Sequence, residues 1–538
     1  MVQSSTARLS RPAITGVAVL AGGLHALALA WAGQGQPLGF LQVLALAVLA
    51  HLVLNTHRPG LAAWIGWCFA TAHGVTATWW LYISMHHFGG LAAPWAALAV
   101  WALQAALGLY LALALALAVI MRGGGDPPRW VHLLSFAAAW LLAELARGVW
   151  FTGFPWGAAG YAHVDSALAA LAPWVGVYGM GAAAALLAMG LAMAWRVRAP
   201  LMRGGAMVMA AALLLALSQP WRAPDATHSA GLVGLTLLQG NVPQDQKYDA
   251  QRLSAPQWYA AQIAQAGPGL ILAPETALPL PSDLWPPEWW AGLQPRRSDQ
   301  AIMVGAPWRE PGRDGYSNSV LAWSGTAMGD DQSGAARPSQ VGPDYRYDKH
   351  HLVPFGEFVP WGFAWFVRAM HIPLGEFDRG ASPQATWRWG GLNWAPNICY
   401  EDLFGEELAR SFGGTDSPHV LVNFSNIAWF GDTVAQDQHL AISRLRTLEL
   451  QRPMVRVTNT GVTAVIDHQG VVRAQAPGWQ RTVLQAQVDG RAGPPTFYSR
   501  WVGSWGLWPL WALGALGLGL TWLSAVRARA RALKPAGR

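Results

Sequence analysis

Long apolar runs separated by short polar breaks occupy the first 220 residues, at about 12–32, 38–54, 61–84, 92–120, 130–150, 171–195 and 204–220. A helical bilayer crossing needs roughly 20 apolar residues, so these runs predict seven transmembrane helices. An eighth is expected at about 503–525. The first run is longer than the apolar centre of a cleaved signal peptide and further spans follow it, so it reads as a first transmembrane helix. Between the seventh and eighth runs the period changes. Leu-rich and β-branched runs at Gly231–Gln239, Leu270–Leu272, Ile302–Ala306, Asn393–Cys399, Val420–Asn423, Met454–Asn459 and Val462–Asp467 predict strands, and helical patterns fall near 251–266, 402–412 and 436–450. Such interleaving predicts an α/β layered domain.

The expected organisation is therefore a helical membrane region over 1–220, an α/β domain over 221–500, and a last span with a basic tail over 501–538. Thr326–Asp344 is polar and rich in Gly and Ser, as in the tip of a surface hairpin. Asp283–Trp290 and Trp361–Ile372 are too apolar for solvated loops. They either pack on the domain core or act as lids dipping into the lipid interface, where Trp favours the head-group level.

Composition supports a membrane protein: 53% of residues are hydrophobic and 12% charged, against about 25% charged in a soluble chain. Residues 228–490 hold 25 of the 29 acidic but 19 of the 36 basic residues, so the excess positive charge belongs to the membrane loops and tails. No basic stripe lies beside a binding fold, which argues against a nucleic-acid partner. In the short loops, Arg58, then Arg122 and Arg129, then Arg196, Arg198 and Arg203 follow the even-numbered spans. The loops after spans 1 and 3 carry none, the segment after span 5 has only Arg147, and the tail carries Arg527, Arg529, Arg531, Lys534 and Arg538. By the positive-inside rule both termini are expected in the cytoplasm and residues 221–500 on the outer face.

On that side a lone cysteine is a liability unless buried or used. Cys399 is one of two cysteines; Cys68 lies in an apolar run. A buried structural thiol is the common fate of a free Cys, yet Asn397-Ile398-Cys399-Tyr400-Glu401-Asp402 places this one at a strand end. Three other segments carry chemistry: Leu272-Ala273-Pro274-Glu275-Thr276, Tyr347-Asp348-Lys349 running to Pro354-Phe355-Gly356-Glu357, and Asn423-Phe424-Ser425-Asn426-Ile427-Ala428-Trp429-Phe430-Gly431-Asp432. Lysine is scarce (only Lys247, Lys349 and Lys534), so Lys349 has a claim to a task that guanidinium cannot do. A thiol needs a base or a cation to become the attacking thiolate. Glu275 could take the proton, Lys349 and the backbone N–H of Tyr400 could hold an oxyanion, and Glu357 could orient Lys349 or the amines. Singly, each has the bland reading of a solvated surface charge.

Pro274-Glu275, Lys349 with Pro354-Phe355-Gly356-Glu357, and Cys399-Tyr400-Glu401 together resemble the Glu-Lys-Cys triad of the nitrilase superfamily, over about half the chain. With spans before that domain and one after it, the whole chain resembles the apolipoprotein N-acyltransferase family. Gln239-Gly240-Asn241, Ser425–Phe430, Gln438-His439, Arg446, Glu449, Arg452-Pro453, Arg456 and Thr458-Asn459-Thr460-Gly461 are also similar to it, as are Trp80–Gly89 and Glu144 to Arg147 followed by Phe151–Trp156. The chain departs from the pattern at Tyr248, where Trp is usual, and at Gln451, where Gly is usual.

What the resemblance implies is a nitrilase-like sandwich domain on an eight-helix bundle in the bacterial inner membrane, acting as a monomer without metal or other cofactor. Cys399 takes an acyl chain from a phospholipid as a thioester and passes it to the α-amine of a diacylglyceryl-modified N-terminal cysteine of an apolipoprotein. Glu275, Lys349 and Cys399 are the implied catalytic residues; Glu357, Tyr400, Glu401, Trp429, Phe430 and Tyr248 are the implied supporting ones. Two rivals remain at this point: a membrane-bound amidase hydrolysing a small amide with the same triad, and a scaffold whose domain is catalytically dead. Zinc-protease, phosphate-loop and serine-elbow motifs are absent from the sequence.

Overall fold

The computed structural model describes residues 10–31, 35–123, 129–196, 200–244, 254–325, 342–365 and 376–532. The chain forms two compact units. One contains residues 1–79, 94–223 and 507–538; the other contains 80–93 and 224–506.

The first unit is helical: α1 (Arg11–Leu27), α2 (Gly39–Leu54), α3 (Pro59–Ala77), α4 (Ala93–Arg122), α5 (Arg129–Val149), α6 (Ala172–Ala194), α7 (Pro200–Leu217) and a C-terminal helix, Trp508–Ala532. Among the described residues, four helical stretches, 93–122, 129–152, 167–194 and 508–531, are long and apolar enough to cross a membrane; Gly39–Leu54 is apolar but shorter. Small residues let the helices approach closely. A Cβ on Gly22 of α1 would lie 2.2 Å from the Phe69 carbonyl oxygen of α3, the kind of contact that replaces the hydrophobic effect in lipid. After α5 the chain turns back through three short 3₁₀ turns, 150–152, 159–163 and 167–171. Glu144 Oε1 accepts the N–H of Ala159 at 2.7 Å and so anchors this connection.

Two helix ends differ from the sequence expectation. The third apolar run stops at Ala77 rather than 84 because Trp80 belongs to the other unit: its indole N–H donates to Gln438 Oε1 at 3.2 Å and its ring lies 4.2 Å from Phe430. The last run is divided at Gly506, whose φ of 57° suits glycine, into Phe497–Trp505 and Trp508–Ala532.

The second unit is a sandwich of two sheets. The larger is ordered β13-β1-β2-β3-β4-β5, with β6 paired to β4; the smaller is ordered β12-β11-β10-β9-β8-β7. The strands are β1 (His228–Gln239), β2 (Gly269–Ala273), β3 (Gln300–Trp308), β4 (Tyr316–Ser324), β5 (Tyr345–Asp348), β6 (Phe377–Asp378), β7 (Trp387–Trp389), β8 (Leu392–Ile398), β9 (Val420–Ser425), β10 (Met454–Thr458), β11 (Ala464–Ile466), β12 (Val472–Gln475) and β13 (Thr482–Ala492). Their inner faces interdigitate, with Leu235, Leu237, Leu272 and Met303 meeting Trp394, Ile398, Val422, Phe424 and Val455. The central strands β1–β3 and β8–β10 pair in parallel. Strands covered on both faces read as continuous apolar runs, which is why sequence pattern finds them.

On the outer face of the larger sheet, Tyr259 and Ile263 of α8 (Ser254–Gln265) pack with Ile271, Ile302, Trp285 and Trp289. That burial overturns the lid reading of Asp283–Trp290: Trp285 and Trp289 are 6% and 7% exposed and belong to the core. The other apolar stretch differs. Trp361 is 98% exposed and Trp365 63%, while residues 366–372 lie outside the described ones. Most of the expected hairpin tip, 326–341, also lies outside them, but the flanking β4 and β5 pair antiparallel.

Candidate active site

Parallel strands present their C-terminal ends on one side of a sheet, and loops there gather side chains from distant parts of the sequence. Glu275 follows β2, Lys349 follows β5, Cys399 follows β8 and Asn426 follows β9. Lys349 is buried, with Nζ 2.9 Å from Glu357 Oε1 and 3.7 Å from Glu275 Oε1. Asn318 of β4 joins the two carboxylates, its amide Nδ2 donating to Glu275 Oε1 at 2.8 Å and to Glu357 Oε1 at 2.9 Å. The second oxygen of each carboxylate accepts a backbone N–H: Asn426 N to Glu275 Oε2 and Val353 N to Glu357 Oε2, both 2.8 Å. Every carboxylate oxygen is therefore fixed in direction. Burial works against charge on Lys349, but Glu357, Glu275 and the Cys399 sulfur overcome it and hold the ammonium protonated, with its pKa raised above that of a free lysine.

Close approach of β3 makes room for the base. A Cβ on Gly305 would fall 2.6 Å from both the Glu275 Cα and the Pro274 carbonyl oxygen, so only glycine allows this loop to seat.

Cys399 begins a 3₁₀ turn, Cys399–Leu403, with φ of +53°. A non-glycine residue in the left-handed region is strained and persists only when its surroundings hold it there. Two groups do so. Asn423 Nδ2 donates to the Cys399 carbonyl at 3.2 Å and to Asn397 Oδ1 at 2.7 Å. Glu401 accepts four bonds: Ile398 N (2.6 Å) and Tyr347 Oη (2.9 Å) on Oε2, His350 N (2.7 Å) and His351 N (3.1 Å) on Oε1. The geometry makes Glu401 an internal clamp that ties the cysteine turn to the segment carrying Lys349. The thiol, partly exposed, is pushed up to about 12 by burial and by the Glu275 carboxylate, against the opposing pull of Lys349 and the Ser425 hydroxyl. At neutral pH the sulfur thus rests as a thiol, and the thiolate has to be formed as it attacks.

Behind the turn lies a charged network. Asp402 Oδ1 accepts from His439 Nε2 at 2.8 Å and Oδ2 from Ser443 Oγ at 2.6 Å. Arg456 donates to His439 Nδ1 at 2.8 Å and to Ser443 Oγ at 2.7 Å. Because Nδ1 accepts, the neutral ring carries its proton on Nε2. Burial opposes ionisation of Asp402, but His439, Arg456 and Ser443 hold its pKa below the usual carboxylate range. Removing one partner of a buried pair strands the other charge, at about 3–5 kcal/mol. Asp402→Ala is therefore expected to lower the thermal denaturation midpoint in detergent clearly; an unchanged midpoint would show that the network does not support the turn.

Of the supporting residues expected from sequence, Glu357 and Glu401 meet the Lys349–Cys399 cluster directly. Tyr400 is buried against His351 and Phe404. Trp429 and Phe430 lie in a short turn against residues 80–93, Trp429 5.6 Å from Phe88 and Phe430 4.2 Å from Trp80. Tyr248 lies outside the described residues. Sequence reading missed Asn318, which stands between Ser317 and Ser319 in the polar first half of β4 and carries no local signal. Gln239-Gly240-Asn241 and Thr458–Gly461 also find their place: Asn459 holds Val242 and donates to Asn426 Oδ1 at 3.0 Å, positioning the N–H that Glu275 accepts. Among the described residues, no three His, Cys, Asp or Glu side chains converge as a metal site would require.

Residues 21–190 match the family described as apolipoprotein N-acyltransferase N-terminal domain, and residues 235–494 match carbon-nitrogen hydrolase. The chain is 47% identical over 529 residues to an apolipoprotein N-acyltransferase of Verminephrobacter eiseniae, covering 91% of this chain and 92% of that one. It is 40% identical over 494 residues to an apolipoprotein N-acyltransferase of Ralstonia nicotianae, covering 89% and 88%. A solved CN-hydrolase superfamily protein of Xanthomonas campestris aligns with 48% of this chain and 91% of its own, at 18% identity and a TM-score of 0.35.

Proposed function

The chain belongs to the apolipoprotein N-acyltransferase family, and from that premise we propose how its own residues carry the acyl transfer. Cys399 Sγ attacks the ester carbonyl of a membrane phospholipid while Glu275 takes the thiol proton. The oxyanion is met by the Lys349 ammonium and the backbone N–H of Tyr400. Collapse breaks the C–O bond, and Glu275 returns its proton to the leaving lysophospholipid alcohol. A thioester remains. The α-amine of the diacylglyceryl-cysteine of an apolipoprotein then attacks it, Glu275 accepts the amine proton, and the amide leaves as the sulfur is reprotonated. Glu357 keeps Lys349 charged and in place throughout.

The observation that supports this reading best is the single buried ammonium held between two carboxylates whose every oxygen is hydrogen-bonded. A resting thiol next to a fixed carboxylate suits a base that works during attack rather than before it. The relatives are named as acyltransferases, which leaves small-amide hydrolysis without support, and an inert scaffold has no need of Glu275, Lys349 and Cys399 together. In this reading the chain crosses the inner membrane eight times, both termini are cytoplasmic and the catalytic unit faces the periplasm. One chain carries every residue the steps use.

The deciding test is incubation of the purified chain with phospholipid alone, followed by mass spectrometry. An acyl adduct on Cys399 is expected, and full transfer with an unmodified thiol would rule the covalent route out. Both substrates are lipids and leave a bilayer at about 0.8 kcal/mol per buried CH₂, so the thioester must form at the interface with water kept away. The exposed Trp361, Phe363 and Trp365 are suited to that covering role. In Trp361→Ala/Trp365→Ala the ratio of thioester hydrolysis to transfer is expected to rise several-fold; an unchanged ratio would discard the lid.

A further inference from the structure

The helical unit contains a pocket that the acyl-transfer steps do not use. It lies among α3, α4 and α5 and is partly open, and none of its lining residues belongs to the unit that carries Cys399. One wall is apolar (Phe69, Leu107 and Leu111); the other carries Arg147, Glu144 and His73.

The polar wall is incompletely satisfied. The counter-ion recorded for Arg147 among the described residues, Glu144 Oε1, stands 3.7 Å away, too far for a hydrogen bond. Its buried Nε has no hydrogen-bond partner. The same holds for His73 Nδ1, on a side chain that is 5% exposed. His73 Nε2 is 3.0 Å from the Gly157 carbonyl. A carbonyl only accepts, so Nε2 carries the ring proton and Nδ1 is a bare acceptor. The wall thus offers a planar donor fork beside one unused acceptor, His73 Nδ1. An ionisable group within a membrane span is costly and marks a functional site by default, and a guanidinium fork matches two oxygens of a phosphate.

We propose that this pocket binds a membrane phospholipid, with its phosphate on Arg147, a donor-bearing head group toward His73, and an acyl chain along Phe69, Leu107 and Leu111. A head group carrying an ammonium N–H or a hydroxyl, as in ethanolamine or glycerol, would use the His73 acceptor; a choline head group has no N–H to give.

The test uses the full-length chain in nanodiscs with a photoactivatable phosphatidylethanolamine, mapping labelled peptides. Labelling is expected within 104–111 and 140–147, and excess phosphatidylethanolamine or phosphatidylglycerol should displace it. Phosphatidylcholine should compete more weakly, and diacylglycerol or millimolar inorganic phosphate should not compete. Arg147→Gln should lower occupancy about ten- to hundredfold, the worth of a charged hydrogen-bonded contact. Arg147→Lys should recover only part, because it keeps charge without the fork. Leu107→Trp, which fills the apolar wall and leaves Arg147 intact, should also lose the label. Cys399→Ala should retain it, so failure of the thioester mechanism and failure of this site read out separately. Absence of label in those peptides, or label indifferent to Arg147→Gln, would overturn the proposal. So would equal competition by diacylglycerol, which means an apolar groove only, or by inorganic phosphate, which means a free-anion site.

Discussion

A Cys399→Ala chain should gain no acyl mass from phospholipid and transfer nothing to an apolipoprotein, a loss of roughly 10⁶-fold of the kind that follows removal of a nucleophile. The substitution deletes one sulfur and leaves the turn otherwise in place. Cys399 holds its left-handed φ through Asn423 and Glu401, neither of which touches the sulfur. The variant should therefore fold and insert as the parent does, and loss of activity with an unchanged denaturation profile is the result that counts. Measurable transfer by the variant would remove the nucleophile assignment.

The second large effect concerns Glu275. Its carboxylate raises the thiol pKa of Cys399, second only to burial. In Glu275→Gln that repulsion disappears while Lys349 still pulls the other way, so the thiol becomes more acidic and a larger fraction is thiolate at pH 8. Alkylation of Cys399 by iodoacetamide should then be faster than in the parent, whose pKa near 12 keeps it protonated. Acyl transfer should nonetheless fall by about 10²–10⁴, the usual contribution of a general base. Thiol reactivity and catalysis moving in opposite directions is the signature of a base that acts during attack. If both fall together, Glu275 supports the sulfur in some other way; if transfer persists, it is not the base.

Near the site, the sequence reading identified the chemistry more readily than its support. Cys399, Lys349 and Glu275 were legible as candidates because a thiol and a lysine are scarce in this chain and each of the three stands beside a strand end, and Glu357 because Pro354-Phe355-Gly356-Glu357 resembles the nitrilase pattern. Asn318 carries no such mark, since an amide within a strand reads as a surface residue until β4 is known to bring it between two carboxylates. Glu401 is one of the supporting residues named from sequence, but that its support consists of four bonds accepted from the protein itself only the coordinates reveal. The missed strands have a physical cause as well. β13 is mostly half-buried and β5 wholly so, without the double-sided burial that makes β2 or β9 a continuous apolar run.

Periodicity and composition alone determined that this chain joins apolar helices to an α/β domain, because burying a face imposes a repeat that can be read without coordinates. Residue type, together with the resemblance to the nitrilase pattern, nominated the candidate reactive atoms, because thiol, ammonium and carboxylate chemistry belongs to residue types. Only the tertiary structure decided which tryptophans are core and which are exposed, since Trp285 and Trp361 look alike until a helix covers one of them. It alone placed Trp80 and Phe88 against Phe430 and Trp429, from opposite ends of the chain. Hydrogen-bond direction, and with it the difference between a free and a fixed carboxylate, depends on neighbours far along the chain, 43 and 151 residues away for Glu275, and leaves no local trace in the sequence.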